Sequence, residues 1–499
     1  MKLKLMFIFL AASLVLGPLA AQCNGELTSV GDKYILQVWG SHYERGYAQG
    51  YLLAPRIMQV FSSYFFPYVA ANSVGRYNNM LDYYVTYYET GAGFQSEAEG
   101  LVAGMIASGQ SLYHGPLQRD LNVGDMLLVN AIVDIPYATN LRDVDLACSS
   151  LSSYAEATLD DLTLQGSLVI TRLLDWTRNS NLINNPLLVV HHPSEPEEVK
   201  WMSFTYPGLI GALSAVNQYG HAAFLNMGNI HASSETYALD AVLLSVRKGI
   251  EIMNFNQDQL YNADDPWAAI SGDQHISGTI IHNVWESSGE VMAQVIETNN
   301  SGTARRFYHE NGNLNGRNLA ATNHFRSLYP AVPCYRYDNI QDALATDASM
   351  SVDRQWSLLG TAAGVSTNLM AIQYIPSSGV VKWSVATSTG PAYSAPPYEF
   401  DADDLFAYEV ATDDPTVPNL AFQLSVYPNP CPCEAELKFS SSNTLNRMGI
   451  YNLRGQLLDS RPLSSAKGII SVAGLKAGIY FIRAEDTKGK AVVKKLLVF

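Results

Sequence analysis

Charge is what this 499-residue chain has least of. Charged residues make up 15% and hydrophobic ones 47%, a balance that suits a packed globular protein and excludes a disordered one. Basic residues are the scarcer sign, 31 Lys and Arg against 46 Asp and Glu, for a formal net charge of −15. Binding a phosphate backbone needs a basic surface, and no Lys/Arg run supplies one, so nucleic acid is excluded as a partner. The five cysteines, Cys23, Cys148, Cys334, Cys431 and Cys433, are too few for a disulfide scaffold, and an odd number leaves one thiol free. Beyond the first 21 residues no apolar run reaches the roughly 18 residues of a membrane helix. Gly-x-Ser-x-Gly, His-Glu-x-x-His and paired Cys-x-x-Cys are also missing, so neither a serine elbow nor a common zinc site is expected. No cofactor and no metal are called for.

What is present starts with an export leader. Lys2 and Lys4 precede an apolar stretch over 5–16, and Pro18, Leu19, Ala20 and Ala21 give a small-residue exit with cleavage expected after Ala21. Gln22 stands where lipid attachment at Cys23 needs a small residue, which argues against a lipoprotein. Residues 22–147 read as mainly helical: Tyr51, Leu52, Ile57, Val60 and Phe61 recur at helical spacing, as do Leu101, Val102, Met105 and Ile106. A further apolar run over 120–134 should stop at Pro136.

From Cys148 the pattern turns to strands, over 167–174, 186–192, 199–206 and 221–227. A helix follows, with Leu239, Val242, Leu243, Val246, Ile250 and Met253 on one face, and then strands over 279–285 and 291–298. Strands, helix and strands within 148–410 fit an α+β fold of two sheets between helical layers. A polar linker, 411–423, contains Pro415 and Pro418, and 424–499 reads as a small β-sandwich.

Ala147, Cys148, Ser149 and Ser150 open the first strand of the sandwich. Thr171, Arg172, Leu173, Leu174, Asp175 and Trp176 end the next, so a returning hairpin puts a cation and a carboxylate beside Cys148. By itself such a thiol is an ordinary core residue, and Arg172 with Asp175 an ordinary ion pair. Strand alternation places Arg172 and Asp175 on opposite faces, so the strand is expected to end or bulge between them.

The Cys-Ser-Ser start and the Arg172-Leu-Leu-Asp175-Trp176 motif resemble the cysteine N-terminal-nucleophile hydrolases, a superfamily that includes choloylglycine hydrolases, acid ceramidases and isopenicillin N acyltransferases. Gly40-Ser-His-Tyr-Glu44-Arg45-Gly46-Tyr-Ala-Gln-Gly50 is similar to the acyltransferase family. Pro207-Gly208-Leu-Ile-Gly211, Asn217-Gln-Tyr-Gly220, Leu225-Asn226 and Ala321-Thr322-Asn323-His324 continue the likeness. The resemblance implies a four-layer αββα sandwich and a precursor that cuts itself between Ala147 and Cys148. Residues 22–147 and 148–410 would stay together as a heterodimer, acting on a small or lipid-like N-acyl amide by hydrolysis or acyl transfer.

In that scheme the new α-amino group of Cys148, with a pKa of about 8, takes the thiol proton without a histidine. Arg172 favours the thiolate, Asp175 holds the ammonium, Asn226 donates to the oxyanion and Asn323 positions substrate. Arg336 and Asn217 are candidates for substrate binding, although Asn217, three residues before Gly220, also suits a turn.

Tyr427-Pro-Asn-Pro430, Ile450-Tyr-Asn-Leu-Arg-Gly455, Gly474-Leu-Lys-Ala-Gly478-Ile-Tyr480 and the terminal Lys494-Lys495-Leu-Leu-Val-Phe499 resemble type IX secretion sorting domains. That implies type IX machinery as a partner and a secreted or cell-surface protein that passes through the periplasm. Two other readings stand beside this one. The first is an exported cysteine protease borrowing His191, His192, His221 or His324 as its base; the second is a non-catalytic exported binding protein.

Overall fold

The computed structural model describes residues 23–135, 147–230, 238–310 and 314–408. In the last part it describes 424–427, 429, 431–433, 436–441, 443–452, 456–476, 478–487 and 491–498. The leader 1–21, the Pro136 stop, the loop before Ala147 and the linker 411–423 lie outside the described residues. The chain divides into two units, Met1–Tyr408 and Glu409–Phe499.

The first described residues correct the helical reading of 22–147. Two strands, β1 (Gly25–Val30) and β2 (Lys33–Gly40), come before any helix and form a hairpin. The aromatic helices after them dominate the segment's composition and obscured them. Ser41 and Glu44 then close a reciprocal capping box that starts α1 (His42–Val60). The helix runs on through Phe61–Val69 with wider, π-type turns, and α2 (Val74–Tyr87), α3 (Ala92–Ala107) and α4 (Val123–Asn130) follow.

Four glycines let α1 and α3 touch. A methyl on Gly46 or Gly50 would strike the carbonyls of Glu97 or Leu101, and one on Gly100 or Gly104 those of Tyr43 or Tyr47. The glycines of the Gly40–Gly50 motif therefore have a packing reason.

A small hairpin of β3 (Tyr113–His114) and β4 (Arg119–Asp120) precedes α4. The strands after it are β5 (Ala147–Ser153), β6 (Val169–Asp175), β7 (Leu187–Pro193), β8 (Trp201–Thr205), β9 (Ser214–Asn217) and β10 (His221–Met227). Then come β11 (Thr279–Ser287), β12 (Glu290–Asn299), β13 (Gly302–Arg306), β14 (Asn318–Ala321), β15 (Asn368–Ile375), β16 (Val380–Val385) and β17 (Tyr398–Asp401).

They form a nine-stranded sheet, β1-β2-β7-β8-β9-β10-β11-β12-β13, and a six-stranded one, β14-β5-β6-β15-β16-β17. The two sheets meet where β10 packs on β5 and β11 and β12 on β14. Outside the first sheet lie α1 and the helices Val242–Glu251 and Asp264–Gly272; outside the second lie Tyr335–Thr346 and Val352–Ala362. This is the four-layer αββα sandwich of an α+β fold.

The strand β2 pairs in parallel with β7, so residues on both sides of the Ala147–Cys148 bond build one sheet and one core. The leading segment is an integral part of the sandwich rather than a cap on it.

The second unit has its own core of Leu437, Phe439, Ile450, Ile482 and Leu496. Its sheets are β18-β19-β22 and β21-β20-β23-β24, from β18 (Leu424–Tyr427), β19 (Glu436–Ser441), β20 (Leu445–Asn452), β21 (Leu457–Pro462), β22 (Lys467–Ser471), β23 (Gly478–Asp486) and β24 (Ala491–Val498).

Candidate active site

Cys148 is the second residue of β5, a strand held between β14 and β6, and its side chain is buried. Successive side chains on a strand point to opposite faces. Cys148, Ser150 and Ser152 face the nine-stranded sheet, where Ser150 and Ser152 meet His282 of β11. Ser153 faces the outer helices and hydrogen-bonds Gln355.

Arg172 stands opposite Ser150 in the ladder, on the same inner face. One guanidinium nitrogen donates to the Leu213 carbonyl at 3.0 Å and to the Ser214 hydroxyl. The other donates to the Leu225 carbonyl at 2.6 Å and lies 3.6 Å from the Cys148 sulfur. This buried cation is met by neutral oxygens, so a thiolate beside it would supply the missing countercharge. Burial nonetheless pushes the Cys148 thiol up, and the nearby Asp175 carboxyl adds to that, against the pull of Arg172. At neutral pH the thiol keeps its proton.

The backbone of Cys148 is gripped from the other side. Its N–H donates to Asn323 Oδ1 at 2.8 Å, and Asn323 in turn donates to the Met227 carbonyl at 2.7 Å. Arg336, in the helix Tyr335–Thr346, donates to the Cys148 carbonyl at 2.8 Å and to Asn323 Oδ1, and stands 3.5 Å from Asp175. Arg336 is buried rather than solvated.

Asp175 pairs with Ala147 across the ladder and accepts from Asn368 at 2.9 Å. Burial raises its carboxyl to about 7, with Arg336, Asn368 and Arg172 opposing. Arg172 and Asp175 do lie on opposite faces, but the irregularity expected between them is in the neighbouring β15, at Asn368–Met370. The bulge re-aims the partner strand and leaves β6 regular.

Asn226, on β10, is fully buried, and its Nδ2 donates to Ser150 Oγ at 3.4 Å. Asn217 is elsewhere: its amide binds the Ile250 carbonyl at 2.8 Å and accepts from the Tyr219 and His221 N–H groups, the work of a turn. The structure thus brings Cys148, Arg172, Asp175, Asn226, Asn323 and Arg336 together and leaves Asn217 out. Sequence reasoning missed Asn368 and the Ser150–His282 contact. Alternation from Cys148 would have pointed to Ser150, whereas nothing local marks Asn368 or His282.

Three of the four candidate histidine bases have other partners, while His324, next to Asn323, keeps a buried Nδ1 with no hydrogen-bond partner among the described residues. His191 stacks on Trp201 at 4.1 Å, His192 binds Gln37 at 2.6 Å, and His221 packs against Tyr261 and Trp285. Among the described residues no histidine hydrogen-bonds Cys148 or Asp175. The residues with metal-ligand spacing are His42, Glu195 and Glu198. Arg45 reaches Glu198 at 2.7 Å, and both His42 ring nitrogens bind carboxylates, Glu97 at 2.7 Å and Glu198 at 2.8 Å. A ring so held is protonated and offers a metal no lone pair.

Near the site lies a small apolar cavity of about 30 Å³, partly open to solvent. Tyr64, Phe65 and Ile132 line it from the leading segment, and Trp176, Leu209 and Leu213 from the later one. It borders the site directly, because Trp176 follows Asp175 and the Leu213 carbonyl holds Arg172.

Comparison with known proteins adds a definite assignment for the second unit: residues 425–499 match the family of secretion system C-terminal sorting domains. The second unit is a secretion sorting domain. A sorting domain of this kind marks the chain for type IX secretion, to the cell surface or beyond. No helix among the described residues is long and apolar enough to cross a membrane.

The first unit has distant likenesses. Protein dcd1B of Dictyostelium discoideum is 27% identical over 214 residues, so the match spans 40% of this chain and only 40% of that protein's length. The Caenorhabditis elegans ortholog of N-acylethanolamine-hydrolyzing acid amidase aligns with a TM-score of 0.30 at 16% identity, over 46% of this chain and 93% of that one. A variant of conjugated bile acid hydrolase from Clostridium perfringens aligns at 0.30 and 9%, over 52% and 94%.

Proposed function

We propose that the chain is an exported, self-processing amide hydrolase or acyltransferase whose nucleophile is Cys148. The observation that carries this reading is the grouping at one strand end. A buried thiol lies beside a guanidinium met by neutral oxygens, with Asn323 and Arg336 on its own N–H and C=O, a carboxyl raised to about 7 next to its ladder position, and no histidine hydrogen-bonded to it among the described residues. Such a thiol lacks a base until the chain supplies one.

The first reaction makes that base. The Cys148 sulfur attacks the Ala147 carbonyl, the carbon–nitrogen bond breaks, and a thioester forms as the nitrogen takes up the thiol's proton. Water then releases the Ala147 carboxylate and restores the thiol. The freed α-amino group sits near Asn323 and Asp175, where a carboxylate steadies its ammonium form.

In turnover the amine takes the thiol proton and the thiolate attacks a substrate amide. The oxyanion is met by Asn226, and the leaving amine departs with the proton. Water, or a second amine, then resolves the acyl-enzyme. The apolar lining of the cavity near the site favours a hydrophobic acyl group over a peptide, and the cavity must widen to admit one. Both segments line it, so it belongs to the heterodimer and to neither part alone.

Incubating the secreted, matured protein with a panel of N-acyl amides and following free amine tests the proposal. Release by the native protein and none by Cys148→Ala is expected. Equal release by both would overturn it.

A further inference from the structure

We propose that Ser150 and His282 are a positioning pair that aims the amide of Asn226 at the reacting carbonyl. The proposal deepens the reading above and rests on Asn226 being the oxyanion donor.

The ladders place these groups together. Asn226 pairs with Ile280 across β10 and β11, and His282 lies two residues on, so Asn226 and His282 share the inner face of the large sheet. Ser150 comes from the facing sheet, two residues beyond Cys148 and on the same side of β5. Its Oγ lies 3.4 Å from Asn226 Nδ2 and 2.9 Å from His282 Nδ1, and His282 Nε2 lies 2.9 Å from Ser152 Oγ. All four side chains are fully buried.

Hydrogen counting allows this chain to run in one connected direction. The Asn226 Nδ2 can only donate, so Ser150 Oγ accepts from it with one lone pair, and in the proposed arrangement the hydroxyl proton of Ser150 goes to His282 Nδ1. Nδ1 must then be bare, the ring proton sits on Nε2, and Nε2 donates to Ser152. Burial pushes His282 down to about 3, so at neutral pH the ring is neutral and one of its two nitrogens is bare.

Asn226 Oδ1 has no partner among the described residues, which leaves Ser150 as the side-chain tie that orients the amide. One Nδ2 hydrogen is committed to Ser150 and the second remains for the oxyanion. Ser150 and His282 touch no reacting atom; they set where the second hydrogen points.

A double-mutant cycle on the matured protein tests this, with kcat and KM measured separately. Ser150→Ala should lower kcat about ten-fold, the loss expected for one ordinary hydrogen bond, with KM unchanged, and Ser150→Thr should restore it. In an Asn226→Ala background Ser150→Ala should cost nothing further. An equal loss in both backgrounds would overturn the proposal. An Asn226→Ala protein with normal kcat would instead remove the oxyanion reading beneath it. If Ser150→Ala blocks self-cleavage, 15N NMR of the histidine rings in the Cys148→Ala precursor decides: a His282 Nε2–H tautomer that is lost on Ser150→Ala supports the pair, and an Nδ1–H tautomer overturns it.

Discussion

Asp175 stands opposite Ala147 in the β5–β6 ladder, with Leu174 opposite Cys148. One hydrogen-bonded register therefore places a titratable carboxyl beside the bond that the proposed reaction cuts. Its proton is kept by burial, which outweighs Arg336, Asn368 and Arg172.

That retention makes the precursor's stability depend on pH. The folded Asp175 carboxyl titrates at about 7 against 3.8 unfolded, so the folded state binds the extra proton between those values and stability falls as pH rises through the window. Asp134, buried and bonded to Ser277 at 2.5 Å and to the Val242 N–H at 3.0 Å, is also raised to about 7 and acts in the same sense. Thermal melts of the Cys148→Ala precursor should show Tm falling from pH 4 to 7. Asp175→Asn and Asp134→Asn should each flatten that fall. A profile that Asp175→Asn leaves unchanged would contradict the assignment.

Removing the proposed oxyanion donor should be costly. Asn226→Ala is expected to lower kcat of the matured enzyme by about 10²–10³-fold, the usual effect of losing one preorganised donor. An effect confined to KM would mark Asn226 as an ordinary substrate contact.

A buried ionic network joins the two sides of the proposed cleavage point. His42, Arg45 and Glu97 precede it; Glu195, Glu198, Arg247 and Glu251 follow it. Burial would lower the His42 ring, but hydrogen bonds to Glu198 and Glu97 win and raise it to about 9. The folded value lies above the ordinary 6.5, so the stabilisation is full below that pH and is lost as pH rises to about 9. A shift of this size is worth on the order of 3 kcal/mol. On size-exclusion chromatography the matured pair should stay associated at pH 7 and separate more readily at pH 10. His42→Leu should remove that pH dependence, and a pair equally stable at both pH values would contradict the clamp.

Much of this was readable from residue patterns. The β-branched run before Asp175 became β6, and the apolar face from Val242 to Ile250 became a helix, because period and burial agree there. The hairpin logic that put Arg172 beside Cys148 needed only two strands adjacent in sequence. The rest depended on distant chain. The pairing of β2 with β7 is parallel and joins segments about 150 residues apart, so nothing local announces it. Asn368 reaches Asp175 through a bulge on another strand, and His282 finds Ser150 only when two sheets are stacked. Asn217 was drawn in by its motif, while its amide is used up by the turn that Gly220 completes.

The central claim concerns one peptide bond, and intact-mass analysis with N-terminal sequencing of the purified protein reads it directly. The account predicts two associated chains, the second beginning at Cys148, and a single uncut chain for Cys148→Ala. A fully active protein with the Ala147–Cys148 bond intact would contradict it.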